Sequence, residues 1–422
     1  MEYKTYKLGT CFSLIENGAI IKQRKEAKGF PITRIETLSH GKFNRDKLGH
    51  ADIFDTTPYK RYILEDKDLI MSHINSRAFL GRTVLYRKKG NEQIIHGMNV
   101  LRIKTNEQFL DPVFASYLFK TSHFKKAIDS IRKDAINQSS INIFDICNIQ
   151  ISLPSITEQR KISHALQLIE KKIETNHLIN DNLEAVAKQL YDYWFVQFDF
   201  PNEEGKPYKS SGGAMVWNEK LKREIPQGWH CGTLLDIAEY TNGLACQKYR
   251  PTDNNKLPVI KIKEMHDGLS ADTEWVKADI PDDVKVFDGD VLFSWSASLE
   301  VMLWAYGNGG LNQHIFKVTS KNGYSRSFYF YQLIHYVGVF KQMAEARKTT
   351  MGHITQDHLR QSTIALPPNV DIANKLEEKL CPIFDEIVKN NQEIMALTKQ
   401  RDELLPLLMN GQATVNYHLS DN

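Results

Sequence analysis

Apolar residues recur every seven positions in two long stretches of the chain. In the first stretch, Ile162, Ile169, Asn176, Leu183 and Leu190 form one row. Leu166, Ile173, Asn180, Ala187 and Trp194 form a second row, four residues further on. Two such rows predict one long amphipathic helix with a heptad seam. The pattern then returns as Leu376, Ile383, Asn390, Leu397 and Leu404, beside Leu380, Ile387, Ile394, Arg401 and Leu408. The two sets superimpose at a shift of 214 residues, and Asn176 falls on Asn390. A helix of about 40 residues is roughly 60 Å long, more than a compact domain needs, and its seam must be covered. The matched helix is the simplest cover. The expectation is an antiparallel pair about an approximate two-fold axis, with Asn176 and Asn390 setting the register. The alternative is that each helix packs only on its own globular part.

The globular parts repeat as well. Ile151-Ser152-Leu153-Pro154 matches Ile364-Ala365-Leu366-Pro367, and Val100-Leu101-Arg102-Ile103 matches Ile315-Phe316-Lys317-Val318. Asp68-Leu69-Ile70 matches Asp290-Val291-Leu292, and Asn17-Gly18 matches Asn242-Gly243. The matches keep the same order in both halves. Short β-rich runs such as 257–263 and 286–295 alternate with Gly, Asn, Asp and Pro, while 112–132 and 327–347 read as helices. The predicted fold is α+β: two mixed α/β domains in tandem, separated and followed by long helices that pair as an antiparallel coiled coil with pseudo-two-fold symmetry. The boundaries read as 1–154 for the first domain and 155–199 for the central helix. The second domain follows at 200–367, opening with a loop-like linker at 200–224. A distal helix at 368–413 and a tail at 414–422 complete the chain.

Composition narrows the class. Hydrophobic residues make up 41% and charged residues 25%, as in ordinary globular protein. No apolar run is long enough to span a bilayer, and the start Met1-Glu2-Tyr3-Lys4 lacks the layout of a signal peptide. The chain reads as cytoplasmic and not membrane-bound. Its five cysteines are scattered, with no C-x-x-C pair, against a disulfide framework or a zinc site. The net charge of +3 conceals polarity: residues 1–155 hold 25 Lys and Arg against 16 Asp and Glu, whereas residues 199–368 hold 19 against 20. A basic half is what a polyanion-binding domain presents, although a solvated surface shows the same. Phosphate-loop, dinucleotide, zincin and nucleophile-elbow signatures are absent from the sequence, so no catalytic residue and no metal ligand is assigned.

What recurs is clustered groups suited to phosphates and base edges. In the first copy these are Lys22, Arg24 and Lys25; Lys42, Asn44 and Arg45; and His73, Asn75 and Arg77. In the second they are Gln247, Lys248 and Arg250; Lys261 and Lys263; Ser294, Trp295 and Ser296; and Lys348, Thr349, Thr350 and His353. Any one cluster alone reads equally as a solvated loop. The segments 72–77 and 294–296, however, both directly follow the matched Asp-Leu-Ile and Asp-Val-Leu strands. At the helix ends, Tyr191, Tyr193, Trp194, Phe195, Leu405 and Leu408 put apolar surface on several faces. That suggests a protein partner, with a local core as the competing reading.

This arrangement resembles the specificity (S) subunit of type I restriction-modification systems, over essentially the whole chain. The resemblance rests on Leu153-Pro154 followed by Glu158-Gln159-Arg160-Lys161-Ile162, and on Tyr191-Asp192-Tyr193-Trp194-Phe195-Val196-Gln197-Phe198-Asp199-Phe200-Pro201. It rests further on Ile225-Pro226-Gln227-Gly228-Trp229 and on the closing run from Arg401 to Gly411. The first domain lacks the Pro-x-Gly-Trp opening and begins at Tyr6-Lys7-Leu8-Gly9. The resemblance implies a non-catalytic subunit whose two target recognition domains each read one half of an asymmetric, bipartite site in double-stranded DNA. It implies helices that set the spacer and dock two methyltransferase subunits, with two restriction/motor subunits joining them. S-adenosylmethionine, ATP and Mg would belong to those partners, and none to this chain. The rival readings are a helical scaffold that touches no DNA and a divergent DNA-modifying enzyme.

Overall fold

Six of the strands in the first copy form its frame, in a computed structural model that describes residues 2–22, 28–135, 138–296, 298–346 and 354–415, apart from the side chains of 40 and 343–346. They are β1 (Lys4–Lys7), β2 (Phe12–Asn17), β3 (Leu69–Met71), β4 (Thr83–Leu85), β5 (Leu101–Thr105) and β6 (Gln150–Leu153). Strands β2, β5, β3 and β4 form an antiparallel sheet in that order, and β1 pairs with β6. The second copy repeats the plan with β7 (His230–Gly232), β8 (Ala238–Asn242), β9 (Val291–Ser294), β10 (Glu300–Leu303), β11 (Ile315–Ser320) and β12 (Ile364–Leu366). Its sheet runs β8, β11, β9, β10, and β7 pairs with β12. Register repeats too. Ile103 lies opposite Leu69 and Ile15, as Val318 lies opposite Val291 and Tyr240. Leu69, Ile70, Met71, Leu101 and Ile103 are fully buried, as are Leu292, Phe293 and Ile315. These apolar runs are therefore strands because both of their faces are covered.

The helices follow with local variations. Residues 112–132 form two helices, α1 (Pro112–Leu118) and α2 (Ser122–Ile131), not the single one expected. The break has a cause: the Thr121 hydroxyl accepts a hydrogen bond from Phe124 N at 3.2 Å and starts a new helix. The first copy continues with α3 (Ile143–Asn148) and α4 (Ile156–Tyr191), and the second has α5 (Arg326–Ala346), α6 (Gln356–Arg360) and α7 (Asp371–Met409). The run 257–263, expected as strand, is strand only over Lys256–Ile260 and turns helical over Ile262–Asp267. There the Glu264 carboxylate accepts from Lys261 N at 3.2 Å, which caps the turn. Residues 200–224 are more ordered than a linker. Phe200 stacks on Tyr208 and Trp229, and Met215–Asn218 pairs with Arg223–Pro226 as a hairpin.

The chain divides into two compact units that do not follow the copies: Met1–Lys171 with Lys399–Asn422, and Lys172–Thr398. Within the first, Ile162 and Leu166 of α4 share a core with Leu404, Leu405, Leu408 and Met409 of α7. Within the second, Leu183, Ala187 and Leu190 share a core with Leu376, Leu380, Ile383 and Ile387. Every seam position of both helices is buried or half-buried, Arg401 included. In the second unit the pairing is antiparallel. Asn176 Nδ2 donates to Glu393 at 2.7 Å, and Asn390 Nδ2 donates to Asn180 Oδ1 at 2.9 Å. Asn180 Nδ2 in turn donates to Asn391 at 2.9 Å. Polar pairs inside an apolar seam specify register, because any slip would bury them without partners.

Candidate nucleic-acid interface

In each copy a glycine lets one strand end run hard against a turn. A Cβ on Gly18 would lie 2.3 Å from the His96 carbonyl oxygen, and one on Gly243 would lie 2.2 Å from that of Asn312. No other residue fits such a backbone approach. The chain past each glycine is then tied down in the same way. Ala19 N donates to the His96 carbonyl at 2.8 Å, and Leu244 N donates to the Leu311 carbonyl at 2.8 Å. This framework holds up Asn17, Met98 and Asn99 in the first copy, all exposed. In the second copy it holds up Asn242 and His314, both exposed, and the half-buried Gln313.

The loop leaving the central strand completes each surface. The His73 carbonyl accepts from Ile141 N at 3.0 Å, and the Trp295 carbonyl accepts from Ile354 N at 3.0 Å. Trp295 Nε1 donates to Asn242 Oδ1 at 3.1 Å, and its ring lies 5.6 Å from that of His314. His73 differs: its ring is buried, and burial lowers its pKa from the ordinary imidazole value. Cations follow both glycines. Lys22 is exposed beyond Gly18, and Gln247, Lys248 and Arg250 are exposed beyond Gly243.

The remaining candidates separate into exposed side chains and side chains committed to structure. Lys42, Arg77 and Lys263 are exposed, the last 3.7 Å from Asp272. Arg45 is committed to structure: it pairs with Glu92, donates to the Arg87 carbonyl at 2.7 Å and lies over Phe43. That pairing, with hydrogen bonds from Lys89 N and Tyr86, holds the Glu92 carboxyl down at about 2. Asn44 accepts from Asp46 N at 3.0 Å and caps the turn at Arg45–Lys47. Asn75 donates to Ser72 at 3.1 Å, and Lys261 pairs with Glu274. Ser294 is buried against the Ser298 carbonyl, and Ser296 is buried beside it. Arg24, Lys25, Lys348, Thr349, Thr350 and His353 lie outside the described residues.

The apolar helix ends are core rather than free surface. Tyr191, Trp194 and Phe195 are buried, with Phe195 4.8 Å from Phe328 and Tyr191 5.1 Å from Tyr331. A π-helical turn at Asp192–Val196 carries these rings into the second unit's core. Leu408 is buried and Leu405 half-buried in the first unit's core. Tyr193 stays 37% exposed, in line with Ile179 and Val186 at seven-residue intervals.

Asn17, Met98, Asn99, Asn242, Gln313 and His314 escaped the composition search because they form no cluster in sequence. Their signal was positional: each sits at the edge of a matched segment, Asn17-Gly18 or the residues just before Val100 and Ile315. Amides and imidazoles at such tips can donate to and accept from base edges, and flanking Lys and Arg can neutralise phosphates. Among the described residues, no group of three or more His, Cys, Asp or Glu is placed to hold a metal ion. No described helix is long and apolar enough to cross a membrane.

A family model described as the type I restriction modification DNA specificity domain matches residues 1–185 and again 226–399. A putative type I restriction enzyme MjaX specificity subunit from Methanocaldococcus jannaschii is 28% identical, over 98% of this chain and 94% of its own length. The type I restriction enzyme HindI specificity subunit from Haemophilus influenzae is 22% identical, over 97% of this chain and 99% of its own. The crystal structure of a type I restriction-modification system S subunit from M. genitalium superposes with a TM-score of 0.58, covering 96% of both chains at 13% identity. At that identity the likeness bears on the fold alone.

Proposed function

Because this chain belongs to the type I restriction modification DNA specificity family, we propose that it is the subunit that selects the DNA sequence, each copy reading one half of a split, asymmetric site. The observation that carries this is the doubled sheet: one strand order and one glycine-backed framework, presenting different side chains in each copy. A site read by two unlike surfaces has two unlike halves. Lys22, Lys42, Arg77, Lys248, Arg250 and Lys263 would contact phosphates and supply the salt-dependent part of binding. The paired helices would set the spacer, since half-sites read from one face of DNA lie about one turn, roughly 34 Å, apart. Ile179, Val186 and Tyr193, facing away from the seam, would help to dock one of two methyltransferase subunits. Two restriction/motor subunits would complete the assembly. S-adenosylmethionine, ATP and Mg would be held by those partners, in the cytoplasm.

The test is selection from a random duplex library by the chain assembled with its methyltransferase subunits, followed by sequencing of the retained DNA. A split motif with two different halves around a fixed gap is the expected result. A continuous motif, a palindrome or no enrichment would overturn the reading.

A further inference from the structure

The equivalence of the two copies points to particular residues. In both, the glycine contact, the backbone bond to residue 96 or 311 and the bond from the loop after the central strand are the same to within a few tenths of an ångström. The side chains at the tips differ. Met98 stands where the second copy has Gln313, Asn99 where it has His314, and His73 where it has Trp295. A rigid support under changed, accessible side chains is the arrangement that alters what is read without altering how it is held.

We infer that Asn242, Gln313 and His314 read base edges in the second half-site, that Asn17, Met98 and Asn99 do so in the first, and that Trp295 is a positioning residue for Asn242. This rests on the DNA-reading function proposed above and assigns it to positions. The chemistry distinguishes the copies. Gln313 can bond an adenine edge bidentately, whereas Met98 offers only apolar contact, suited to a thymine methyl group. Trp295 adds orientation. Its indole N–H is donor only, so the atom it meets at 3.1 Å is the carbonyl oxygen of the Asn242 amide. The Asn242 NH₂ is thereby left to donate outward, toward an acceptor on a base. Asn17 is not held in this way, because His73, at the position of Trp295, is turned into the core. Lys248 and Arg250 in one copy, and Lys22 in the other, follow Asn242 or Asn17 within eight residues, which adds phosphate-binding charge to the same loop as each reader.

The experiment repeats the library selection with three variants of the assembled complex. The first carries Gln313→Met with His314→Asn, the second Met98→Gln with Asn99→His, and the third Trp295→Phe. The first should change preference at one or two base pairs of the second half-site by roughly tenfold or more, leaving the first half-site and the gap unchanged. The second should do the converse. Trp295→Phe, which keeps the ring and loses the donor, should relax discrimination at a single base pair of the second half-site. The half-site left untouched in each variant reports that the protein is folded and bound. Parental motifs from both exchange variants would overturn the assignment, and a parental motif from Trp295→Phe would overturn the positioning role. Failure of the parent itself to yield a split motif would instead sink the DNA-reading function.

Discussion

Strand β5 of the first copy and strand β11 of the second each send one cation into the protein interior, Arg102 and Lys317. Each meets the aspartate that opens the neighbouring strand: Arg102 Nε lies 2.7 Å from Asp68, and Lys317 Nζ lies 2.8 Å from Asp290. Each also donates to a distant carbonyl at 2.8 Å, that of Arg61 or of Lys285. Both aspartate carboxylates accept a backbone N–H from three residues back, and both aspartate carbonyls accept the backbone N–H of a fully buried aromatic residue, Tyr86 at 2.7 Å or Trp304 at 2.8 Å. The copies differ in depth. Arg102 and Asp68 are each 2% exposed, whereas Lys317 and Asp290 are 11% and 23% exposed. One plan thus survives with different chemistry where geometry is fixed from all sides. A guanidinium with five donors suits the deeper site, and an ammonium suits the wetter one.

Removing the cation is the most severe way to break this comparison. Burial pushes the Asp68 carboxyl above its ordinary value even with Arg102 beside it. Arg102→Met would leave that carboxyl unpaired in the core, at a cost of about 3–5 kcal/mol. Lys317→Met leaves Asp290 partly hydrated and should cost less, about 1–2 kcal/mol. Urea unfolding of the full chain measures both. Equal losses, or a larger one for Lys317→Met, would show that depth does not grade the two sites.

How much of this could be read from the chain alone depends on periodicity. The seam was fully legible, because heptad rows fix a helical face without reference to anything else. The strand matches were legible because Asp68-Leu69-Ile70 and Asp290-Val291-Leu292 carry the same buried pattern. The turn before them was not: Lys67 and Gly289 occupy the same left-handed position, at φ 69° and 85°, and only one of them is glycine. Composition failed more widely at the candidate site. It favoured cations, yet Arg45 and Lys261 are spent on Glu92 and Glu274. It passed over Met98, Asn99 and Gln313, which form no cluster of charged or polar groups in sequence and reach the strand tips only through the fold. Aromatic density at the end of α4 suggested a partner surface, whereas Tyr191, Trp194 and Phe195 are buried in the second unit's core through contacts far away in sequence.

The polar layer of the seam gives a second, smaller contrast. A shift of 214 carries Asn176 onto Asn390, but carries Asn180 onto Ile394. One half of the layer is therefore a closed amide pair, Asn390 with Asn180, at 2.9 Å. In the other half Asn176 reaches Glu393, and its own Oδ1 is buried without a partner. Asn390→Leu should strand the Asn180 carbonyl and cost about 1–3 kcal/mol. Asn176→Leu should be near neutral, since it removes an unsatisfied acceptor while Glu393 keeps Lys172 at 3.3 Å. Unfolding midpoints of the two variants in the opposite order would refute the asymmetry.

The smallest contrast is a matter of pH. Residues 96 and 311 are equivalent and both fully buried, but one is His and the other Leu. Burial, then the nearby Arg102 charge, hold His96 down at about 3. In the unfolded chain the same ring titrates near 6.5. A depressed histidine binds its proton more tightly when unfolded, so stability is unaffected well above pH 6.5 and falls as pH drops from there toward 3. One unit below the unfolded value the loss is about 1.4 kcal/mol, and His73, also lowered by burial, adds in the same direction. Carboxylates act later: Glu92 and Asp134, both held at about 2, lose their contribution only as pH falls below the ordinary carboxylate range. The interval from pH 7.5 to 5.5 spans the titration of the unfolded histidine and lies above the range in which Glu92 and Asp134 act. Urea midpoints at those two pH values should fall for the parent and fall less for His96→Leu, which gives the first copy the residue of the second. If the variant lost as much stability as the parent over that interval, the acid sensitivity would have to lie elsewhere than at this position.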